Sequence, residues 1–103
     1  MLKDDLNKFS ANIGKDPLLV QGAGGNISIK VDKVLHVKAS GTCLSDAEEK
    51  DIFVPVDIQH VLELISSKQF DKTPKIIGAS SLRPSIETFF HALLPHKVVV
   101  HVH

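Results

Sequence analysis

Hydrophobic positions along the chain follow two periods, one typical of helices and one typical of strands. Helical spacing occurs in three segments: the first ends near Gly14, the second follows a capping Asp57, and the third follows Pro84. Alternation or a β-branched run occurs in four segments, 26–31, 34–39, 52–56 and 97–103. Helices and strands are therefore mixed along the chain, which predicts an α/β fold.

Each predicted helix has an expected buried stripe. The first stripe consists of Leu2, Leu6, Phe9 and Ile13. The second consists of Ile58, Val61, Leu62 and Ile65. The third helix runs to about Leu94 and is expected to bury Phe89, Phe90, Leu93 and Leu94. A short additional helix is expected where Ser45 and Glu48 form a capping-box pattern.

The predicted strands also differ in position. Segments 26–31 and 34–39 are separated by a short polar turn and predict an antiparallel hairpin. Pro55 lacks a backbone N–H, so either segment 52–56 lies at a sheet edge or Pro55 lies at the end of the strand. Segment 97–103 is rich in valine and is expected to be an interior strand. Segment 66–74 is polar and predicts a loop, and 76–81 predicts a short extended segment.

Composition narrows the possible functions. The 103 residues carry 12 basic and 12 acidic side chains and lack Trp and Tyr, which disfavours nucleic-acid binding. Cys43 is the lone cysteine, so no internal disulfide can form and a reducing compartment is expected. The N-terminal residues do not resemble a signal peptide, and no apolar run is long enough to cross a bilayer. We therefore expect one cytoplasmic domain that binds neither nucleic acid nor membranes.

The last predicted strand carries His101 and His103, one residue apart. Residues at positions i and i+2 of a strand project from the same face, so these imidazoles would point the same way, about 7 Å apart. Two ligands of one metal ion fit that geometry, although catalytic zinc takes three protein ligands and structural zinc takes four. Spacing alone leaves open whether the pair binds a metal or is two exposed polar residues.

Glu87 lies in the first turn predicted for the third helix. A carboxylate there is stabilised by the helix dipole, and that role alone can explain it. The alternative is a general acid/base beside the histidines, because this helix leads directly into their strand. The remaining histidines are expected to pack against the protein rather than to bind metal: His36, His60, His91 and His96.

Two glycine-containing turns, "GAGGN" at 22–26 and "KASGT" at 38–42, flank the predicted hairpin. The first is not a dinucleotide fingerprint, because it lacks the third glycine and precedes a strand instead of a helix. Antiparallel pairing brings the start of one strand opposite the end of the next, so both turns are expected at one sheet edge. Their backbone N–H groups could bind a phosphate or carboxylate, or the glycines could serve turn geometry alone.

In this order, "GAGGNISIK", "KASGT", "RPSIETFFH" and "VVVHVH" resemble the class II aldolase/adducin family. The resemblance covers the chain from Leu19 onward and is closest to the aldolase domains of rhamnulose-phosphate-aldolase/short-chain-dehydrogenase fusions. It implies the N-terminal portion of a three-layer α/β/α sheet. It also implies a metal-dependent lyase that cleaves a ketose phosphate to dihydroxyacetone phosphate and an aldehyde. The alternatives are a phosphopentose 4-epimerase, a sugar-phosphate dehydratase and a non-catalytic adducin-like interaction module.

The resemblance assigns roles to individual residues. Glu87 would be the acid/base residue, and His101 and His103 would be two of three histidine ligands of Zn²⁺ or another divalent metal. The substrate phosphate would be held by Gly25, Asn26, Ser40, Gly41 and Ser85. Family members form homo-oligomers, usually tetramers, so a small-molecule sugar phosphate and further copies of the chain are the expected partners.

The sequence also departs from the family pattern. Ala23 stands where some aldolases have a hydroxyl residue, and Ile86 replaces the second serine of the phosphate turn, which weakens the case for a phosphorylated substrate. The family's third histidine ligand belongs to a later segment. Residues 1–103 are therefore expected to be a class II aldolase/adducin-like domain truncated at its C-terminus, and weakly active or inactive as they stand.

Overall fold

A computed structural model describes residues 2–78 and 81–102. In chain order the elements are α1 (Leu2–Gly14), β1 (Asn26–Val31), β2 (Val34–Lys38), a 3₁₀ turn (Leu44–Asp46), β3 (Phe53–Asp57), α2 (Ile58–Ser66), α3 (Thr88–Leu93) and β4 (Val98–His101). The mixture of helices and strands confirms the predicted α/β class. None of the helices in these residues has the length and apolar character that crossing a bilayer requires.

The four strands form one antiparallel sheet in the order β3-β2-β1-β4. The predicted hairpin is present, with Ser28 opposite Val37 in β1 and β2. β3 lies at an edge, one of the two alternatives that Pro55 left open. Within the described ranges β4 pairs with β1 and has no second neighbour, so the expectation of an interior strand is wrong for these residues. Val98 and Val100 are accordingly exposed.

Helices cover both faces of the sheet. We call one the α1 face, where Ile27 and Ile29 pack with Leu6 of α1 and with Leu44 of the 3₁₀ turn. We call the other the α3 face, where β2 and β3 pack against Val61 of α2 and Ala92 of α3. Strand residues alternate between the two faces, so register decides which side chains each layer of helices meets. The arrangement agrees with the predicted three layers.

α1 has the predicted bounds but not the whole predicted stripe. Leu6 is buried, whereas Phe9 is 46% exposed and Ser10 and Ala11 are buried in its place. Gly14 lies inside the helix end, where an added Cβ would come within 2.3 Å of the Ser45 backbone N. The glycine therefore permits close approach of α1 to the 3₁₀ turn.

The other helices differ from expectation mainly at their ends. Asp57 caps α2 as predicted and accepts hydrogen bonds from the N–H groups of Gln59 and His60. On α2 the second fully buried position is Leu64, while Leu62 is exposed. The capping box at Ser45 is wrong: Cys43 precedes the short 3₁₀ turn and makes no side-chain cap.

α3 begins at Thr88, four residues later than predicted. Pro84 is held extended by a bridge to Ala39, which delays the helix start. The later start changes the buried face to Thr88, His91 and Ala92 and leaves Phe90 and Leu93 exposed. In the loop before it, Ile76 makes one bridge with Val56, and the predicted extended segment 76–81 lies partly outside the described residues.

Candidate functional site

Candidate site residues of three strands lie together at one end of the sheet. β1 begins at Asn26, β2 ends at Lys38, and β4 ends at His101, and each is antiparallel to its neighbour. Asn26 pairs directly with His101. Extending the β1–β2 register past Ser28 and Val37 places Asn26 opposite Ala39, next to Ser40. We call this end of the sheet, where β1 begins and β2 and β4 end, the glycine end.

The first glycine turn is shaped by Gly25, which has φ +78°. An added Cβ would lie 3.1 Å from Val20 Cγ2, 3.3 Å from Leu44 Cδ1 and 3.5 Å from the His101 carbonyl oxygen. Both the backbone conformation and the tight space therefore favour glycine here. The turn packs directly against the end of the strand that carries the candidate metal ligand.

Asn26 follows that turn and is 1% exposed. Its Oδ1 has no hydrogen-bond partner among residues 2–78 and 81–102. A buried polar group left without a partner costs about 1–3 kcal/mol, so folding alone does not favour an amide here. An amide can present an acceptor or two donors, and this one has capacity for a ligand.

Ser40 and Ser85 are joined through the bridge between Ala39 and Pro84. The Ser40 N–H donates to the Arg83 carbonyl at 2.8 Å, and the Ser85 N–H donates to the Lys38 carbonyl at 3.3 Å. The two serines therefore come from distant sequence segments to one place. Gly41 follows Ser40 with φ +76° and has open space around it.

A cleft of about 270 Å³ opens beside these serines. Its walls include both hydroxyl residues, the basic residues Lys72 and Arg83, and Asp71. Phe70 and Phe89, with ring centroids 5.5 Å apart in an edge-to-face contact, contribute its apolar side. Two basic residues against one acidic residue give the cleft a net positive lining, which suits an anion.

Glu87 lies immediately before α3 and points toward the last strand. Its backbone N–H donates to Ser85 Oγ at 3.1 Å, so Ser85 also helps to fix the position of the Glu87 backbone. Glu87 Oε1 contacts His101 Nδ1. The Glu87 side chain is 27% exposed and that of His101 is 46% exposed, so a small molecule can reach both. The two candidate residues thus meet, as the hypothesis of a shared site requires.

His91 lies on the inner side of Glu87. It is fully buried, its Nδ1 shares a 2.6 Å hydrogen bond with Ser28 Oγ, and its Nε2 lies 3.6 Å from Glu87 Oε1. Burial lowers the pKa of His91; the Glu87 carboxylate opposes this shift, and His101 and Lys30 add to it. A neutral imidazole with its proton on Nε2 faces the carboxylate and leaves Nδ1 to accept from Ser28.

His91 packs inside the protein as predicted, and His36 and His60 are half-buried. His60 Nδ1 accepts from the Lys75 N–H at 2.8 Å. His96 is exposed, so the packing expectation is wrong for that residue.

The metal prediction is carried by His101, because His103 lies outside the described residues. Within 2–78 and 81–102 no three His, Cys, Asp or Glu side chains are grouped as a metal would require. The contact between His101 Nδ1 and a carboxylate is nevertheless the type that orients imidazole ligands of zinc. The nitrogen and oxygen donors present are compatible with zinc chemistry.

Sequence reasoning missed Lys38, which is 3% exposed and donates from Nζ to the Ala23 and Thr42 carbonyls at 2.9 and 2.6 Å. It also missed Lys72 and Arg83 in the cleft. The sequence could have indicated that Lys38 is buried, because it continues a strand that helices were expected to cover on both faces. It carries no such signal for Lys72 and Arg83, because their meeting depends on how two loops fold.

Comparison with known proteins agrees with this geometry. Residues 10–103 match the model of the class II aldolase and adducin N-terminal domain. A Thermoplasma acidophilum structure, the N-terminal class II aldolase domain of a conserved protein, superposes with a TM-score of 0.76 and 33% identity over 97% of this chain and 54% of that one. The uncharacterized oxidoreductase YuxG of Bacillus subtilis (strain 168) is 31% identical to this chain over 88% of the chain's length. The matched part covers 15% of the length of YuxG.

The chain thus spans about half of the solved domain structure and a smaller part of the Bacillus protein. The family match covers nearly all of the present residues and includes the glycine end of the sheet. With its α/β fold and the order of its strands and turns, the chain belongs to the class II aldolase and adducin family.

Proposed function

We propose that this chain supplies the substrate-binding and acid/base part of a metal-dependent aldolase that cleaves a ketose phosphate to dihydroxyacetone phosphate and an aldehyde. The observation that carries the proposal is the contact between Glu87 and His101 at the glycine end of the sheet. A non-catalytic interaction module would have no need to place a carboxylate against an imidazole beside an anion-binding cleft.

Asn26, Ser40, Gly41 and Ser85 would hold the phosphate, with Gly25 shaping the first turn. Support comes from the buried Asn26 amide, whose Nδ2 group is a donor of the kind an anion accepts from, and from the shared cleft of Ser40 and Ser85. Ile86 is 91% exposed and lines the same cleft without offering a hydroxyl. Arg83 and Lys72 would provide the positive charge that offsets this loss.

His101 and His103 would hold a divalent ion, with zinc the best match to imidazole donors. When bound, the ion would act as a Lewis acid on the hydroxyl and carbonyl oxygens of the ketose. Cleavage would break the C3–C4 bond as the Glu87 carboxylate takes the C4 hydroxyl proton: C4 becomes the aldehyde, and the electron pair passes to C3. Glu87, now in its acid form, would deliver that proton to C3, which completes dihydroxyacetone phosphate.

The His91 ring would hold the Glu87 carboxylate toward the substrate from the buried side. Because that ring is itself fixed by Ser28, the acid/base residue is supported through two side chains that do not touch the substrate. A homo-oligomer is proposed on family resemblance, and sedimentation of the purified protein would test it.

The test incubates dihydroxyacetone phosphate in D₂O with the full-length protein and added Zn²⁺. NMR then follows the rate at which deuterium replaces the C3 protons. Glu87→Gln should slow exchange by about 100-fold or more, since it removes the proton-transfer group. Glu63→Gln changes an exposed glutamate on α2 and should leave exchange unchanged. Equal exchange by wild type and Glu87→Gln would contradict the assigned role.

Metal binding is tested separately by zinc calorimetry. His101→Ala should weaken zinc binding, because it removes one of the proposed ligands, whereas His96→Ala removes an exposed histidine and should not. If His101→Ala binds zinc as tightly as wild type, His101 is not a ligand.

A further inference from the structure

Lys38 is a buried lysine tied to both glycine turns. Its Nζ donates to the Ala23 carbonyl at 2.9 Å in the first turn and to the Thr42 carbonyl at 2.6 Å in the second. These acceptors lie 15 residues before and 4 residues after it in the chain. One ammonium group therefore fixes the separation of two loops that the backbone alone does not join.

This arrangement is costly as a purely structural tie. Burying a charged group costs several kcal/mol before its hydrogen bonds are counted, and an apolar side chain of similar size is often equally stabilising. Burial lowers the pKa of Lys38, while interactions with Cys43 and Glu87 act in the opposite direction. The position thus retains a desolvated amine despite this cost.

The location of the amine supplies a reason to retain it. Both carbonyl acceptors lie in the turns at the glycine end of the sheet. Ala23 precedes Asn26 by three residues, and Thr42 follows Ser40 by two. The ammonium occupies the Ala23 and Thr42 carbonyls, so these two acceptors are not left to repel an incoming anion. It also adds positive charge beneath a site that would receive an anion.

We propose that Lys38 is a positioning residue of the anion site, whose ammonium holds the 22–25 and 40–42 turns at the separation that the ligand requires and contributes charge to binding. The inference rests on the proposed function of the glycine end. It deepens that function by naming a residue that need not touch the substrate.

Lys30 provides a matched control. It is also a strand lysine whose Nζ donates to two carbonyls, those of Leu94 and His96, and burial lowers its pKa as well. Its acceptors follow α3, near the opposite end of β1. Loss of Lys30 should therefore perturb packing around the α3 end without changing the two turns.

The experiment measures inorganic phosphate affinity of the full chain by calorimetry, together with the backbone amide NMR signals of both turns. Lys38→Met should weaken phosphate binding by about tenfold, equal to about 1.4 kcal/mol, and should move signals in both turns. Lys30→Met should retain affinity within about twofold. Lys38→Arg retains the charge and donors and should recover most of the affinity.

Unchanged phosphate affinity in folded Lys38→Met, or an equal loss in Lys30→Met, would overturn the inference. If Lys38→Met does not fold, Lys38→Gln replaces it: weaker binding than Lys38→Arg supports the inference, and equal binding contradicts it. If wild type binds no phosphate, the proposed anion site fails. The amide signals then decide the positioning claim, since an unaffected 22–25 turn in the Lys38 variant would refute the tie.

Discussion

On the α1 face the sheet meets mainly apolar side chains, whereas on the α3 face the half formed by β1 and β4 meets polar ones. The α1 face buries Leu6, Leu44 and Ile52 around Ile27 and Ile29. The opposite side of the same strand β1 buries Asn26 and Ser28, and Ser28 is hydrogen-bonded to His91. A single strand is thus packed for stability on one side and carries polar groups toward the candidate site on the other.

The difference shows where folding and function make separate demands. Apolar burial stabilises by about 25 cal/mol per Å², while a buried polar group needs a partner merely to avoid a cost. On the α3 face Asn26 Oδ1 and His91 Nε2 are buried, and neither has a partner at hydrogen-bond distance in the described part of the chain. Selection for stability alone would remove such groups. His91 Nε2 lies 3.6 Å from Oε1 of Glu87, the residue proposed above as the acid/base group.

The largest expected effect on stability comes from the α1 face. Leu6→Ala should lower the free energy of unfolding by about 3 kcal/mol, because it leaves a cavity in the apolar cluster. Phe9→Ala on the same helix should cost much less, since Phe9 is 46% exposed. Urea unfolding measures both changes, and a larger loss for Phe9→Ala would show that the other side of α1 is buried.

The glycine turns should respond unequally to alanine. Gly25→Ala is expected to cost about 2–3 kcal/mol, combining left-handed backbone strain with contacts to Val20 and Leu44. Gly41→Ala meets only the backbone penalty, about 1–2 kcal/mol, because nothing lies within 4 Å of its Cβ position. Thermal unfolding that ranked Gly41→Ala as the more damaging change would contradict the close packing of the first turn.

Two buried serines distinguish satisfied from unsatisfied polar groups. Ser28→Ala should destabilise by about 1–2 kcal/mol, because it removes the hydrogen-bond partner of buried His91. Ser10→Ala on α1 should be neutral or stabilising, since Ser10 is fully buried and its hydroxyl has no partner among the residues that the structure describes. The comparison fails if denaturant unfolding shows equal losses for the two substitutions.

The smallest effect is a dependence of stability on pH. Because burial lowers the pKa of His91 in the folded protein, the unfolded chain takes up a proton first as pH falls through about 6.5. Stability should therefore be full above that pH and fall below it, by at most about 1.4 kcal/mol per pH unit for one proton. Three neighbouring groups also affect the pKa of His91: the Glu87 carboxylate raises it, and His101 and Lys30 lower it further.

The measurement is urea unfolding between neutral and mildly acidic pH, with His91→Gln as the comparison. The variant should lose this part of the acid sensitivity while keeping the part due to carboxylates. An identical pH profile in the variant would show that His91 is not the group concerned.

Periodicity and turn chemistry predicted the class of fold, the β1–β2 hairpin and the Asp57 cap, and left the edge position of β3 as one of two alternatives, because each depends on local sequence. The buried side of α3 was wrong because its start is set by the long-range bridge between Ala39 and Pro84. Within the ranges that the structure describes, β4 pairs with β1 alone, and this too depends on which strands pair, which a run of valines does not specify.

The candidate site divides in the same way. Spacing and order of motifs indicated Glu87, His101 and the glycine turns, and strand register could be used to bring Asn26 toward Ser40. The Lys38 bridges and the cleft around Arg83 required side-chain positions set by tertiary packing. The proposed phosphate, acid/base and metal roles remain predictions for experiment.

The central claim is that the glycine end of the sheet is an anion-binding active site. Its most direct test is to map backbone amide shifts of ¹⁵N-labelled protein during titration with inorganic phosphate. We predict saturable shifts at Gly25, Asn26, Ser40, Gly41 and Ser85, with the signals of α1 unchanged. Saturable binding that leaves these five residues unchanged, or the absence of any binding, would contradict the account.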